Sequence, residues 1–398
     1  MVKSDFETLQ EMGLEVEIRN GHLLVHSVPY VDARRQVRRG ILLTALTGNR
    51  EVLGRPGDHT IWFVGDLPHK QDGRPMTNLE IGGAHPLWEG FQVNRQFSNK
   101  PEALAQTGFA DYVSKVLHYV SLLSPEAAAL DPAATAFTGK VLAAEPEESI
   151  FEYWDTAASR AGIVALSAKL AMPRVAIIGL GGTGGYVLDL LAKTPIRQIH
   201  LFDGDVFDQH NAFRAPGVAK LTELATRPQK VDYFADRYSA MHRGIHRHDY
   251  PITEENVTDL VGFDFVFLCV DKPKVRKLIG EFLIASQVPY IDTGMDLLLV
   301  GDPGELIGSC RVTLCTPVKA SHFARRAPLT GGGDADDLYR SNIQLADMNN
   351  LNAVLAVYKW KQYCGFYQDL RGAHNLTFSI NDQALIGDEN AVEEVLAE

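Results

Sequence analysis

The sequence predicts an α/β protein in which a doubly wound, mostly parallel sheet begins near Arg174 and a smaller α+β domain precedes it. Three observations lead there. Beyond Pro173 the runs RVAIIGL, QIHLFDGD, FDFVFLCVD and VPYIDTG are continuous and rich in β-branched residues, as strands buried on both faces are. Glycine-rich or helical segments separate them, the alternation that winds a parallel sheet. The start of the chain reads differently: LEVEIRNGHLLVHSVPY alternates apolar and polar residues, the pattern of strands with one solvated face.

In chain order, Asn20-Gly21 divides that alternating segment and marks a hairpin, because both residue types tolerate positive φ. HTIWFVGD supplies a further strand. Val113, Val116, Tyr119 and Val120 recur at helical spacing, which predicts a helix near Ala103 to Leu123. Between Ser124 and Glu148 the composition turns to alanine, proline and acidic residues, so residues 1–145 are expected to form one domain and 149–398 another. IFEYWDTAASRAGIVALSAKLA is a helical lead into the first parallel strand. SNIQLADMNNLNAVLAVYKWKQYCGF predicts a long helix near the end, and the acidic tail GDENAVEEVLAE a short one.

At 398 residues the chain exceeds one ordinary domain, and 45% apolar with 22% charged residues is the composition of a soluble globular protein. The 50 acidic residues outnumber 38 basic ones, a net charge of −12, so nucleic acid is not an expected partner. No run nears the roughly 18 apolar residues of a membrane span, and MVKSDFETLQ lacks the apolar core of a secretory signal. A cytoplasmic protein with no membrane partner is expected. Cys269, Cys310, Cys315 and Cys364 form no Cys-x-x-Cys pair, which argues against structural zinc. His59, His69 and His85 lack metal-like spacing and read as ordinary loop or strand residues.

The chemistry-bearing run begins at Gly179-Leu180-Gly181-Gly182-Thr183-Gly184-Gly185, between an apolar strand and the helical YVLDLLAKT. Glycines permit a tight turn, and amide N–H groups at the helix start face phosphate oxygens, so a Rossmann-like nucleotide loop is the reading. Asp203 ends the next strand, about 20 residues on, where a carboxylate accepts hydrogen bonds from ribose hydroxyls. A nicotinamide-dependent oxidoreductase shares all of this.

The residues that follow part the two readings. Asp203-Gly204-Asp205 leads to Asn211, eight residues after Asp203, and to Arg214, eleven after it. This Asp-x-Asp…Asn-x-x-Arg spacing resembles the superfamily of ThiF, MoeB and the ubiquitin-activating enzymes. Lys230 stands at that family's phosphate lysine and Asp271 at its magnesium-binding aspartate. The resemblance covers Tyr153 to Asp296 well and the remainder loosely. Ala215 and Lys272 depart from it, standing where glutamine and asparagine are frequent. HNAFRAPG and IQLADMNNLNAVLAVYKWK resemble a bacterial branch in which such a domain follows an extra amino-terminal domain, some of whose members resemble parts of ubiquitin-like conjugation pathways, antiviral ones included.

The resemblance implies ATP and Mg²⁺ as cofactors. Gly179, Gly181, Gly182, Thr183 and Gly184 would cradle the nucleotide with Asp203 and Asp205, while Arg214 and Lys230 neutralise phosphates. Asn211 would orient the phosphate or the attacking carboxylate, and Asp271 would bind the metal. The competing reading of Asp271 is a cap for a helix starting at Lys272 or Pro273. Arg160 stands about where relatives supply an arginine to a partner's active site, which implies a homodimer.

Activating enzymes of this family pass the acyl group to a cysteine. Cys315-Thr316-Pro317 resembles their cysteine-threonine pair, with Lys319, His322, Arg325 and Arg326 nearby; Cys310 is the runner-up, and a buried strand CRVTLCTP is the plain alternative. PLTGGGDADD beyond it reads as a mobile loop. The expected activity is adenylation of the C-terminal carboxylate of a ubiquitin-like protein followed by a thioester, with a conjugating-enzyme-like protein as a further partner. Adenylation without a thioester, as in sulfur-carrier or peptide-modifying relatives, is the alternative, and an oxidoreductase a more distant one. The first domain is expected to recruit partners or support a dimer.

Overall fold

The computed structural model describes residues 4–48, 53–88, 90–104, 106–140, 142, 150–153, 155–161, 163–329 and 343–390. The chain forms two compact units, Met1–Ala168 and Lys169–Glu398.

The first unit opens with helix α1 (Asp5–Glu11), started by a capping box in which Ser4 and Glu7 satisfy each other's amides. Strands β1 (Glu15–Arg19) and β2 (His22–Val31) form the expected hairpin, with Asn20 at φ 48° and Gly21 at φ 69°. Then come β3 (Val37–Ala45), β4 (Thr60–Val64), β5 (Glu80–Gly82), β6 (His85–Trp88), β7 (Phe91–Val93) and β8 (Arg95–Ser98). Six of these make one antiparallel sheet in the order β1-β2-β3-β4-β8-β5. Helix α2 (Tyr112–Ala128) lays Tyr112, Val116, Tyr119 and Leu123 on one face of it, against Leu23, Val25, Phe63 and Phe97. The β6-β7 hairpin packs Trp88 and Val93 with Leu24 and Leu43, which point to the other face.

Helix α2 starts nine residues later than its periodicity suggested and continues through Pro125. Asp111 sets the start as N-cap, its side chain accepting from the Ser114 amide, while Gly108 at φ 68° breaks the chain upstream. The expected helical lead is two short helices, α3 (Thr156–Ala161) and α4 (Val164–Ser167).

In the second unit eight strands line up as β11-β10-β9-β12-β13-β14-β15-β16. They are β9 (Arg174–Ile178), β10 (Gln198–Phe202), β11 (Ile245–His248), β12 (Phe265–Leu268), β13 (Tyr290–Val300), β14 (Glu305–Cys315), β15 (Ala373–Ser379) and β16 (Ala384–Asn390). From β11 to β13 pairing is parallel, and from β13 onward antiparallel. The helices are α5 (Gly182–Leu191), α6 (Gln209–Ala212), α7 (Leu221–Thr226), α8 (Lys230–Tyr238), α9 (Pro273–Ala285), α10 (Phe323–Arg326) and α11 (Ala346–Tyr363).

Both sheet faces are covered, which is why these strands are continuously apolar. Val175 and Ile177 face α5, α8 and α11 through Leu188, Phe234 and Trp360. Ala176 and Ile178 face α9 through Ile279 and Leu283. Each buried valine, leucine, isoleucine or phenylalanine side chain among them contributes roughly 1.5–3 kcal/mol. The predicted tail helix is not formed where the chain is described, because Gly387 to Asn390 finish β16, paired to β15; residues 391–398, and residues 330–337 of the expected mobile loop, lie outside the described residues. Among the described residues no helix is long and apolar enough to cross a membrane.

Candidate functional site

Register places the ends of the parallel strands in one row. Phe202 pairs with Ile178, Ile178 with Leu268, and Leu268 with Asp292. The chain therefore leaves β9, β10 and β12 side by side at Gly179, Asp203 and Cys269, the edge where open α/β sheets bind ligands.

Gly179 begins the loop at φ 88°, its amide donating to the Phe202 carbonyl at 2.8 Å. A Cβ there would lie 2.7 Å from the Cys269 carbonyl oxygen, so only glycine lets the two loops abut. Gly181 caps α5, which begins at Gly182. A Cβ on Gly184 would sit 1.8 Å from the Gly179 carbonyl oxygen, fixed backbone that cannot yield. Gly184→Ala is expected to destabilise the second unit by about 3 kcal/mol, as forced overpacking does, read by urea unfolding; an unchanged midpoint would mean the loop reshapes freely.

Asp203 organises the edge. Its Oδ2 accepts from the Leu180 amide at 2.7 Å and its Oδ1 from the Asp205 amide at 2.8 Å. Lys230, at the first position of α8, is buried with its Nζ 2.7 Å from Asp205 Oδ2 and 3.5 Å from Asp203 Oδ1. A carboxylate offers about four acceptor positions, so Asp203 keeps one open. The Lys230 hydrogen bond holds the Asp205 carboxyl below the usual carboxylate range, and the charge of Lys272 adds to that pull.

Asp271 follows β12, exposed, and makes no hydrogen bond or ion pair among the described residues. The capping alternative does not hold: Lys272 is the N-cap of α9, with Pro273 at the first helical position and no side-chain cap. An exposed carboxylate with free oxygens suits Mg²⁺, which is commonly held by one or two carboxylates together with substrate phosphates.

Asn211 is buried in α6, its Oδ1 accepting from the Asp208 amide at 2.9 Å. Arg214 donates from Nη1 to Gln344 Oε1, while its Nε is buried without a partner among the described residues. Arg160 is carried on α3, and its side chain lies outside what the structure describes.

The structure does not bring Cys315 to this edge. It pairs with Tyr290, which pairs with Val266, two residues back from the row of strand ends and so roughly 7 Å away along the strand. The thiol is buried under α9 and α10, and burial pushes its pKa up to about 12. Cys310 is equally buried on the opposite face, donating weakly to the Met348 carbonyl at 3.5 Å, its thiol also pushed up to about 12.

Two sets of residues at the edge escaped the sequence. Fully buried Asp292 accepts from Arg276 Nε at 2.9 Å and from Arg311 at 2.5 Å, and Arg276 also donates to the Val270 carbonyl at 2.5 Å, fixing the backbone just before Asp271. The visible signal was an aspartate ending the apolar run VPYID, as Asp203 ends QIHLFD. The second set is Gln344 and Asn349 at the head of α11, which touch Arg214 and Thr183. Asparagines at 349 and 352, on the buried stripe of a helix, were its signal.

Residues 157–310 match the ThiF family, and residues 4–156 match DUF6791, a domain of unknown function. SUMO-activating enzyme subunit uba-2 of Caenorhabditis elegans is 28% identical over 133 residues, 32% of this chain and 22% of that protein, so the chain spans about a fifth of that relative's length. Among solved structures, E. coli MccB with MccA-N7isoASN gives a TM-score of 0.46 at 18% identity, over 58% of this chain and 70% of that one. E. coli MccB with ATP gives 0.43 at 17%, over 56% and 65%. Selenomethionine PaaA gives 0.42 at 19%, over 56% and 74%.

Proposed function

Residues 157–310 being a ThiF-family domain, we propose that this protein uses ATP to adenylate the C-terminal carboxylate of a ubiquitin-like protein. The observation that carries the proposal is Lys230 buried between Asp203 and Asp205 beside the glycine loop, with Asp271, which has no partner among the described residues, two residues beyond the Cys269 backbone that abuts Gly179.

The reaction joins two anions, so fixed positive charge has to stand where negative charge builds up. A carboxylate oxygen attacks the α-phosphorus of ATP, the bond from that phosphorus to the bridging oxygen breaks, and pyrophosphate leaves with the electron pair. The α5 amides receive phosphate oxygens. Asp203 takes a ribose hydroxyl at its open acceptor position. Lys230, already desolvated and pre-aligned by two carboxylates, turns its remaining N–H toward phosphate. Arg214 supplies a guanidinium whose Nε lacks a partner among the described residues, and Asn211 orients the reacting oxygens. Asp271 would hold Mg²⁺, which supplies charge neutralisation at the departing pyrophosphate. Arg160 acts in the site of a second copy, making the enzyme a homodimer, and residues 1–145 recruit the substrate or a conjugating-enzyme-like partner.

Burial of Cys315 favours a second reading in which catalysis ends at the adenylate, for a sulfur-carrier or peptide substrate. A thioester on Cys315 requires that the end of β14 open, since a thiol held near pKa 12 is not a nucleophile at neutral pH.

ATP–pyrophosphate exchange with a β-grasp protein ending in glycine tests the main reading. Exchange is expected, reduced by about tenfold or more in Arg160→Ala, as for an arginine that stabilises phosphoryl transfer. A reducible adduct present in wild type and absent in Cys315→Ala selects the thioester route; exchange without an adduct selects the shorter one. No exchange with any carboxylate-ended peptide, in protein that binds ATP, sinks adenylation.

A further inference from the structure

Helix α5 runs ten residues from the glycine loop, and one buried side chain from elsewhere in the fold leans on its first turn. Asn349, in the opening turn of α11, is 1% exposed. Its carboxamide lies so close to Gly182 that a Cβ on that glycine would meet Nδ2 at 2.1 Å and Oδ1 at 2.4 Å. The Thr183 hydroxyl donates to Oδ1 at 3.1 Å, which fixes the carboxamide's rotation. Nδ2 is thereby left as a donor, buried beside the first residue of α5 and without a partner among the described residues.

A buried amide donor without an acceptor costs about 1–3 kcal/mol, so its persistence needs an explanation. A packing role alone would be served as well by leucine or methionine, which bury no unpaired donor of their own. Gly182 also has a reason to be glycine here, since any side chain would push the carboxamide away. Donors at the start of α5 already converge where an anion is favoured by the unpaired amides and the helix dipole.

We infer that Asn349 is a nucleotide-binding residue, donating from Nδ2 to a phosphate oxygen seated at the start of α5, with Thr183 holding its carboxamide in register. The inference rests on the proposal that ATP binds at this loop. It also explains a linkage: Gln344, five residues earlier, holds Arg214. The head of α11 thus meets the phosphate site from two directions.

The test compares ATP and adenosine binding by calorimetry to the full chain carrying Asn349→Ala or Asn349→Asp. Loss of a hydrogen bond to a charged oxygen is expected to weaken ATP about tenfold in the alanine variant. The aspartate variant sets a carboxylate against phosphate and is expected to lose about a hundredfold. Adenosine, lacking phosphate, should bind each variant within about twofold of wild type. A denaturation midpoint without nucleotide serves as control, and the alanine variant should hold or gain stability. If ATP affinity in both variants equals wild type, or if adenosine falls in step with ATP, Asn349 has no phosphate role. If wild type itself binds no ATP, the nucleotide reading fails instead, and the two failures are distinct.

Discussion

Asp271→Asn is expected to cut magnesium-dependent ATP–pyrophosphate exchange by about a thousandfold while leaving the unfolding midpoint of the free protein within about a degree. Both halves follow from where Asp271 stands. It is exposed and makes no hydrogen bond or ion pair among the described residues, and it does not cap α9, so the folded state loses nothing when its charge goes. Exposed surface substitutions of this kind stay within about 0.5 kcal/mol. The catalytic loss has a different origin in the proposed function, where the Asp271 carboxylate would hold the Mg²⁺ that offsets the negative charge building up, and losing that cation costs about 4 kcal/mol of transition-state stabilisation. Lys230→Met provides the contrast. It removes the cation between Asp203 and Asp205, so activity and stability should fall together. Exchange by Asp271→Asn within a factor of about five of wild type would remove Asp271 from the chemistry; a large drop in its midpoint would make its role structural.

Much of the second unit was legible because its signals are local. Continuous apolar runs flagged β9, β10, β12 and β13, and Gly179 and Gly184 stand where a Cβ would strike backbone, a demand that any sequence with this turn has to meet. The start of α2 is not legible in the same way, because the spacing upstream of Asp111 mimics a helix that Gly108 interrupts. Arg276, Asp292 and Arg311 were invisible as a group: each is an ordinary charged residue in the chain, and only the pairing of β13 with β14 and the packing of α9 bring them together. Cys315 illustrates the converse. A cysteine with basic neighbours in sequence looks electropositive, yet in β14 those neighbours turn elsewhere, Arg325 and Arg326 pairing with Glu389 while the thiol faces Tyr290 and Phe323.

Acid should destabilise the second unit well above the pH at which its carboxylates titrate. His242 is fully buried and locked as one neutral tautomer: Nε2 donates to the Ile196 carbonyl at 2.9 Å, and Nδ1 accepts from the Gly244 amide at 3.1 Å. Protonating Nδ1 would oppose two N–H groups in a dry site, and burial lowers this pKa to about 4. His200 and His374 are held down as well, to about 3 and about 4, burial being the main cause and neighbouring histidines the next. All three bind a proton more readily when unfolded, near pH 6.5, so their contribution is intact above that value and is lost as pH falls toward 4. By pH 5 the loss is about 2 kcal/mol for His242, and about half that for each of the other two once solvent screening is allowed for. Together this is about 4 kcal/mol, a large share of the 5–15 kcal/mol stability of a typical domain. The depressed Asp205 carboxyl works in the same direction only at lower pH, since its contribution is lost below about pH 4. Urea unfolding followed between pH 7.5 and 5 should therefore show a falling midpoint, with a slope reduced by about one proton in His242→Gln, whose amide is able to donate to Ile196 and accept from Gly244 without taking up charge. A midpoint constant across that range would mean the buried histidines protonate in place.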